Sequence, residues 1–231
     1  MKRRTASIVA SASVCTVVAV AVPAACAALA VQIHHTVSYG VSQPVTTVVI
    51  DDPVGNVQVN GGASKLGVSE YQSYRDSAPV SSHTVADGTL TLTFHCASTE
   101  CGIDYDVQVP DGTAVEINAS AGNVTLTDLS GSVQASTRAG KITATAMSAR
   151  QARFSDGAGN ILIGYVSAPT SLYAGAGAGD VTLFMPGGAS YKVAASSRAG
   201  AVHVTVPQSA SAPSAVTATS TAGDVAVRTQ E

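Results

Sequence analysis

The sequence predicts an all-β protein, namely a single-stranded parallel β-helix (a β-solenoid) of two-strand repeats about 20 residues long, preceded by one transmembrane helix. Three observations predict this fold class. A glycine-centred phrase recurs six times, charged residues make up only 12% of the chain, and a long uncharged stretch follows a basic start. Small and β-branched residues are typical of stacked strands, whereas disorder requires low hydrophobicity and high net charge.

The N-terminal stretch predicts a membrane anchor. A basic tail at residues 1–5 precedes an uncharged, mostly Ala and Val segment at 6–33. A membrane-crossing helix needs about 20 apolar residues, and a cleaved signal peptide has an apolar region of about 7–15. An uncleaved signal anchor is therefore favoured. The tail would stay in the cytoplasm and the rest would be exported, with 34–44 as a juxtamembrane linker.

Two features leave cleavage open as an alternative. Ala28-Leu29-Ala30 matches the small-residue pattern of a cleavage site, so the mature chain could begin after Ala30. Pro23-Ala24-Ala25-Cys26 resembles a lipoprotein box, although the proline fits that pattern poorly. The first alternative predicts a secreted protein rather than an anchored one.

The repeat is the strongest signal in the chain. Each unit reads Ala-Gly, then one variable and usually polar residue, then an alternating apolar strand, as in Ala121-Gly122-Asn123-Val124. Gly and Asn tolerate positive φ and mark turns, and alternation puts one face of a strand inward. A second alternating run precedes each glycine. We expect the glycine turns to lie at Gly122, Gly140, Gly159, Gly179, Gly200 and Gly223, at steps of 18 to 23 residues.

A unit this small cannot bury its own apolar face, so we expect successive units to stack with equivalent strands in parallel. An antiparallel sandwich of short strands remains the alternative. The predicted domain spans 45–228, with an irregular first part at 45–110 and regular repeats at 115–228. In the first part, Cys96 and Cys101 flank the turn between two alternating runs. In an oxidising compartment they can form a disulfide that closes a hairpin, the alternatives being a metal pair or free thiols.

Together these features resemble DUF4097, a family of bacterial β-strand-repeat proteins proposed as adhesins, in its actinobacterial, membrane-anchored type. The resemblance covers roughly 45–228. It depends on Gly55-Asn56-Val57, on Cys101-x-Ile103-Asp104-Tyr105, on Val109-Pro110-Asp111-Gly112 and on the serial Ala-Gly-Asn/Asp-Val units. It implies a β-helix-like fold and a cell-envelope location. The family offers no catalytic residues to carry over.

Charge argues against two classes of partner. Three of the 12 basic residues lie at positions 2–4 and every acid lies at Asp51 or later, so nine bases face 15 acids beyond the apolar segment, a net charge of −6. Nucleic acids and anionic lipid headgroups require a basic surface. The expected partners are therefore an envelope protein or a cell-wall or surface glycan, with the membrane reached only through the N-terminal segment.

Candidate sites are few, and each has a plain structural interpretation. A ladder of calcium-binding oxygens could be formed by Asn123, Asn160, Asp180 and Asp224. The favoured interpretation is that these are turn residues whose side chains satisfy the local backbone. Asp104 and Asp106 are too close in the chain to act as paired acids on a substrate. Five tyrosines are interpreted as scattered strand residues on outer faces, and a sugar-stacking platform is the alternative. They are Tyr71, Tyr74, Tyr165, Tyr173 and Tyr191.

The functional expectation follows from these readings. We expect a non-catalytic, membrane-anchored surface-binding module of the adhesin type, with no cofactor and no metal. An envelope-stress sensor, or a regulatory partner of a membrane protein, is the second hypothesis. A polysaccharide-active β-helix enzyme is the third, and it requires acids that converge in a groove.

Overall fold

The computed structural model describes residues 31–230, and these residues fold as an all-β body of 19 strands without a helix. The prediction of an all-β protein is confirmed. Within this described range, no helix has the length and apolar character that a membrane crossing requires. The predicted tail, and residues 6–30 of the predicted anchor, lie outside the described residues.

The strands form two sheets of ten and nine strands. In chain order they are β1 (Ile33–Gly40), β2 (Thr47–Asp52), β3 (Val57–Asn60), β4 (Gly67–Tyr74), β5 (Val80–Ala86), β6 (Thr89–His95), β7 (Cys101–Gln108), β8 (Ala114–Ala121), β9 (Val124–Thr127), β10 (Val133–Ala139), β11 (Ile142–Met147), β12 (Gln151–Ala158), β13 (Ile161–Tyr165), β14 (Ser171–Ala178), β15 (Val181–Met185), β16 (Tyr191–Ala199), β17 (Val202–Val204), β18 (Ser214–Ala222) and β19 (Val225–Thr229). The ten-stranded sheet has the order β1-β4-β7-β3-β9-β11-β13-β15-β19-β17, and the nine-stranded sheet has the order β16-β18-β14-β12-β10-β8-β2-β6-β5.

Each repeat contributes one strand to each sheet, and equivalent strands of neighbouring repeats pair in parallel. In the nine-stranded sheet Val133 lies between Val115 and Ala152, and in the ten-stranded sheet Ile142 lies between Val124 and Ile161. Alternation therefore points the same repeat positions inward in every coil. The inward Val, Ile, Leu and Ala side chains form one core between the sheets, where removal of apolar surface from water stabilises the fold.

The repeat glycines lie where the chain passes from the nine-stranded sheet to the ten-stranded sheet. Gly122 and Gly140 have φ of +143° and +152°, a region that L side chains rarely adopt. A Cβ on Gly140 would overlap the carbonyl oxygen of Gly122, and one on Gly122 would overlap that of Gly55. The same overlap recurs from coil to coil, so the backbones at this corner approach too closely for any side chain.

The coils at both ends are not stacked in chain order. The first coil, formed by β2 and β3, is not at the end of the stack. It lies between the coil of β8 and β9 and the strands β6 and β7, which come later in the chain. At the other end, the last coil (β18 and β19) is inserted between β14–β15 and β16–β17. The outermost coil at that end is therefore the one formed by residues 191–204, and both chain ends of the repeat array are held between two neighbours.

The predicted linker at 34–44 is wrong for its first part. Residues 33–40 form β1, which pairs antiparallel with β4 from Ile33 opposite Tyr74 to Gly40 opposite Gly67. The strand was missed because it lies at a sheet edge with little of either face covered, so its alternation is weak. The described body thus begins before residue 45.

The interpretation of the cysteine pair as closing a hairpin is also wrong. Cys96 and Cys101 form a disulfide, but the strands beside them, β6 and β7, belong to different sheets and do not pair. β6 pairs with β2 and β5, and β7 with β3 and β4. The disulfide therefore closes the turn by which the chain crosses between sheets, the same crossing that the glycine corners make in the regular coils.

Candidate functional site

The outer face of the nine-stranded sheet carries a polar groove of about 580 Å³. Its most chemically capable side chains form a row across four coils, because Glu116 pairs in register with Gln134, Gln134 with Arg153, and Arg153 with Tyr173. Small residues such as Ala114, Ser132 and Ser171 line the groove beside this row. The row crosses β8, β10, β12 and β14 at the parallel-strand spacing of about 4.8 Å.

Arg153 and Tyr173 form the centre of this groove. The guanidinium carbon of Arg153 lies 4.1 Å from the centroid of the Tyr173 ring, a cation–π contact. The Tyr173 hydroxyl reaches over Gly175, where a Cβ would lie only 2.6 Å from it. Among residues 31–230, the salt bridge found joins Arg75 and Glu100, so Arg153 has no carboxylate partner there. Its planar donors are oriented by the ring and left available to a ligand.

The groove combines three kinds of recognition chemistry. Arg153 offers fixed N–H donors that suit carboxylate or hydroxyl oxygens, Gln134 offers a donor and an acceptor, and Glu116 offers acceptors only. The aromatic ring of Tyr173 adds apolar contact area beside a hydroxyl. A row of this composition on a shallow, water-accessible face suits an extended, oxygen-rich ligand better than a compact apolar one.

The predicted ladder of Asx oxygens exists, and its oxygens accept backbone N–H groups of neighbouring coils. Where the residue after a repeat glycine is Asn or Asp, its side chain accepts the N–H of the equivalent residue in the neighbouring coil. Asn123 Oδ1 accepts from Lys141 N at 2.9 Å, and Asp180 Oδ1 accepts from Asp224 N at 2.8 Å. Asn160 Oδ1 accepts from Asp180 N at 2.8 Å. The described residues contain no cluster of three metal-ligating side chains. The ladder therefore joins the coils and is interrupted only where Lys141 has no acceptor oxygen.

Two carboxyl groups are buried in the core beside the glycine corners. Asp52 and Asp156 occupy the same repeat position, three residues before Gly55 and Gly159, and are 1% and 5% exposed. Burial raises the pKa of Asp52 to about 7, against a lowering by the Val54 N–H and a further increase from the charge of Asp104. Burial likewise raises the pKa of Asp156 to about 6, partly opposed by the Ala158 N–H.

Each of these two carboxyls has one oxygen without a partner. Oδ1 of Asp52 accepts the Val54 N–H and Oδ1 of Asp156 accepts the Ala158 N–H, both at 3.0 Å, while both Oδ2 atoms are buried without a hydrogen bond. At the same repeat position, Ser220 donates its hydroxyl to the Gly179 carbonyl. A protonated carboxyl supplies the same kind of donor, which agrees with the raised pKa values.

The structure does not bring the other sequence candidates together. Tyr165 and Tyr191 are buried in the core, Tyr71 is exposed on the ten-stranded sheet, and Tyr173 lies in the groove on the opposite sheet. The five tyrosines do not form one platform. Asp104 Oδ1 accepts the backbone N–H of Asn56 at 2.7 Å, so this carboxylate extends the ladder.

Sequence reasoning missed the groove, although a signal for it exists. The four residues of the row each lie six positions before a repeat glycine; they are Glu116, Gln134, Arg153 and Tyr173. When the repeats are aligned on those glycines, this position is outward-facing and carries large polar side chains in four consecutive units. Uneven repeat lengths of 18 to 20 residues hide that alignment in the linear sequence.

Comparison with known proteins identifies a family model. The model described as Toastrack DUF4097 matches residues 54–231. No curated protein matches the chain.

Several solved bacterial structures are similar to this chain. A proposed cell adhesion protein from Clostridium sporogenes has a TM-score of 0.55 and 14% sequence identity, covering 86% of this chain and 100% of its own. A proposed adhesin from Bacteroides fragilis has a TM-score of 0.49 and 15% identity, covering 86% of this chain and 97% of its own. A proposed lipid-binding protein from Parabacteroides distasonis has a TM-score of 0.37 and 11% identity over 86% and 97% of the two chains. At these identities the first match shows the fold alone.

Proposed function

Because this chain belongs to the Toastrack DUF4097 family, we propose that it is a non-catalytic binding module of the bacterial cell envelope whose groove takes an oxygen-rich surface glycan. The observation that carries this proposal is the register-aligned row of Glu116, Gln134, Arg153 and Tyr173. A row of donors, acceptors and one aromatic ring can follow an extended chain of sugars coil by coil. The fold shared with a proposed cell adhesion protein supports an adhesive role.

The proposed location is the outer side of the membrane, with residues 6–33 as the signal anchor and the basic tail inside. The apolar length of that segment and the preceding Lys and Arg residues support this orientation. The disulfide agrees with export to an oxidising compartment. The repeat body is then a β-solenoid in which the coil of β16 and β17 is the far end of the stack from β1.

A glycan-binding experiment tests the function. The full-length chain in mild detergent is titrated by calorimetry with two soluble oligosaccharides of similar length, one neutral and one containing uronic acids. Arg153 has no acidic partner in the described chain, so we expect the acidic oligosaccharide to bind more tightly. We expect Arg153→Ala and Tyr173→Ala each to weaken binding about tenfold, which corresponds to a loss of about 1.4 kcal/mol.

The matched control is Arg138→Ala. Arg138 is an exposed arginine on β10 of the same sheet, but it does not line the groove. The proposal is supported if the groove variants lose binding and the Arg138 variant does not. It is contradicted if neither oligosaccharide binds. It is also contradicted if Arg153→Ala and Arg138→Ala lose affinity equally while Tyr173→Ala loses none, because the interaction would then reflect net charge alone.

A further inference from the structure

The two ends of the stack are closed to different extents. At the end formed by β1 and β5, the edge strands of the two sheets meet: the rings of Tyr39 and His83 stack with centroids 4.3 Å apart. Tyr39 also donates its hydroxyl to Glu70 at 2.9 Å. The antiparallel strands β1, β4 and β5 therefore act as a cap over the core at this end.

The opposite end leaves its last core layer open. In the coil of β16 and β17, Val193, Ala195 and Val204 are only partly buried, and Val202 is 42% exposed. Their register partners one coil further in are all at most 1% exposed; these are Val216, Ala218, Val225 and Val227. Repeat proteins generally need a polar cap over such a layer, so something other than the described coils has to cover it.

The same end presents a strand edge that is mostly unpaired. Among the described residues β16 pairs along one edge with β18. Its other edge is occupied only at Tyr191, which donates its N–H to the Pro207 carbonyl at 2.9 Å and accepts the N–H of Ser209 at 3.1 Å, and it is open over 192–199. A cavity of about 300 Å³ opens beside the start of this strand. It is lined by Tyr191, Lys192, Val193, Gln208, Ser209 and Ala210. An added strand would find backbone partners along the edge and a side-chain pocket at one end, which are the two elements of β-augmentation.

Charge identifies the kind of strand that fits. The chain has 15 acids and 12 bases, yet residues 181–223 contain no Asp or Glu and include Lys192, Arg198 and His203. Lys192 and Arg198 are exposed near the two ends of β16. A strand that pairs with this edge and carries acidic side chains would meet a cation at each end.

A second copy of this chain fits less well. If two copies of β16 paired antiparallel about Ala195, Lys192 of each would lie opposite Arg198 of the other. Like charges directly across a strand pair are destabilising. The edge β5 at the other end of the nine-stranded sheet carries no acidic residue that could pair with them.

We propose that β16 is a docking edge for an extended, acidic segment of a partner protein. The segment adds to the nine-stranded sheet as its tenth strand, directs its alternate apolar side chains over Val193 and Ala195, and places one side chain in the cavity beside Tyr191. Its acidic side chains lie beside Lys192 and Arg198. This surface is separate from the glycan groove and does not depend on it.

A peptide titration tests this proposal. The full-length chain in mild detergent is titrated with a fluorescent ten-residue peptide that alternates valine and glutamate, and with a control peptide that alternates valine and lysine. We expect only the glutamate peptide to bind. We expect the double variant Lys192→Glu, Arg198→Glu to bind it about tenfold more weakly and to bind the lysine peptide instead.

Arg138→Glu is the matched control, because Arg138 lies two residues before Gly140 as Arg198 lies two residues before Gly200, but on an interior strand. It should bind the glutamate peptide like the unchanged chain. Hydrogen exchange locates the contact: bound peptide should protect backbone amides within 193–199 and leave those of β5 unaffected.

Three results would overturn the proposal. One is binding of both peptides alike, or of neither. Another is protection that falls on β5 or in the groove rather than on β16. The third is a concentration-dependent dimer, seen by sedimentation, that the Lys192→Glu, Arg198→Glu variant abolishes, because the edge would then be occupied by a second copy.

Discussion

The residue that follows each repeat glycine forms a hydrogen bond between coils, and one coil lacks it. Asn123 accepts the N–H of Lys141, but Lys141 has no oxygen to accept the N–H of Asn160. Replacing Lys141 with Asn supplies the missing acceptor. We expect Lys141→Asn to raise the free energy of unfolding by about 0.5–1 kcal/mol, measured by chemical denaturation, because a net hydrogen bond contributes that much.

Two variants separate this hydrogen bond from other effects of the substitution. Lys141→Ala removes the charge without adding an oxygen, so it should not stabilise the fold. Ala201 occupies the equivalent position on the outermost coil, where it donates to Asp224 but has no further coil to accept from. Ala201→Asn should therefore leave stability unchanged. Stabilisation by all three variants would indicate that the ladder is not the cause.

The buried carboxyls Asp52 and Asp156 make stability depend on pH. Their pKa values are raised from 3.8 to about 7 and about 6, mainly by burial. At pH values between 3.8 and these raised pKa values, the folded chain holds protons on the two carboxyls that the unfolded chain has lost. The free energy of unfolding therefore falls as pH rises through this range. We expect Tm, measured by circular dichroism, to be higher at about pH 5 than at about pH 8.

The double variant Asp52→Asn, Asp156→Asn tests the assignment, because an amide stays neutral at both pH values. It should flatten the pH dependence, whereas Asp111→Asn at an exposed turn should not. A dependence that persists in the double variant would assign it to other groups.

At the scale of elements, the disulfide holds the turn at one crossing between the sheets. At the regular crossings, closely packed glycine backbones hold the corner. Cys96 and Cys101 are five positions apart, and they connect β6 to β7 across the two sheets. Closing so short a loop lowers the entropy of the unfolded chain. We expect Cys96→Ser, Cys101→Ser to lower the free energy of unfolding by about 2 kcal/mol.

A reductant gives the control for this prediction. Reduction should lower Tm of the unchanged chain to that of the double variant, and it should not change Tm of the variant itself. If the unchanged chain keeps its Tm after complete reduction, the loop is held by its packing and not by the covalent bond.

At this scale, the sequence predicts the features that repeat along the chain, namely the strands and the corners. Alternation before and after Gly122, Gly140 and the later glycines predicts strands, and the glycines predict the corners, because both depend on neighbours in sequence. The groove depends on which residues of different coils share a register, and β1 depends on an edge with little burial. Those features follow from packing between distant segments, which single-sequence periodicity does not contain.

At the scale of the whole molecule, the order of the coils is the feature that the repeat pattern did not predict. The phrases at Gly200 and Gly223 are nearly equivalent, yet the coil that comes later in the chain occupies the interior position of the stack and the earlier coil occupies the end. A side chain accounts for the choice. Tyr191 is fully buried at the stack end and donates its hydroxyl to the Pro186 carbonyl at 2.7 Å, while its register partner in the interior coil is the small, buried Ser214. A tyrosine in that interior position would overpack the core.

This order makes the last segment of the chain an interior support, and two deletions of one coil each test it. Removing 214–231 takes away β18 and β19, the strand partners of β16 and β17. Replacing 186–213 with a short glycine-serine linker instead removes the outermost coil and leaves β18 and β19 paired with β14 and β15. We expect hydrogen exchange to show β16 and β17 unprotected in the first variant, and β18 and β19 still protected in the second. If β16 and β17 stay protected in the truncated chain, they have moved into the vacant position. Tyr191 would then not be what excludes them from it.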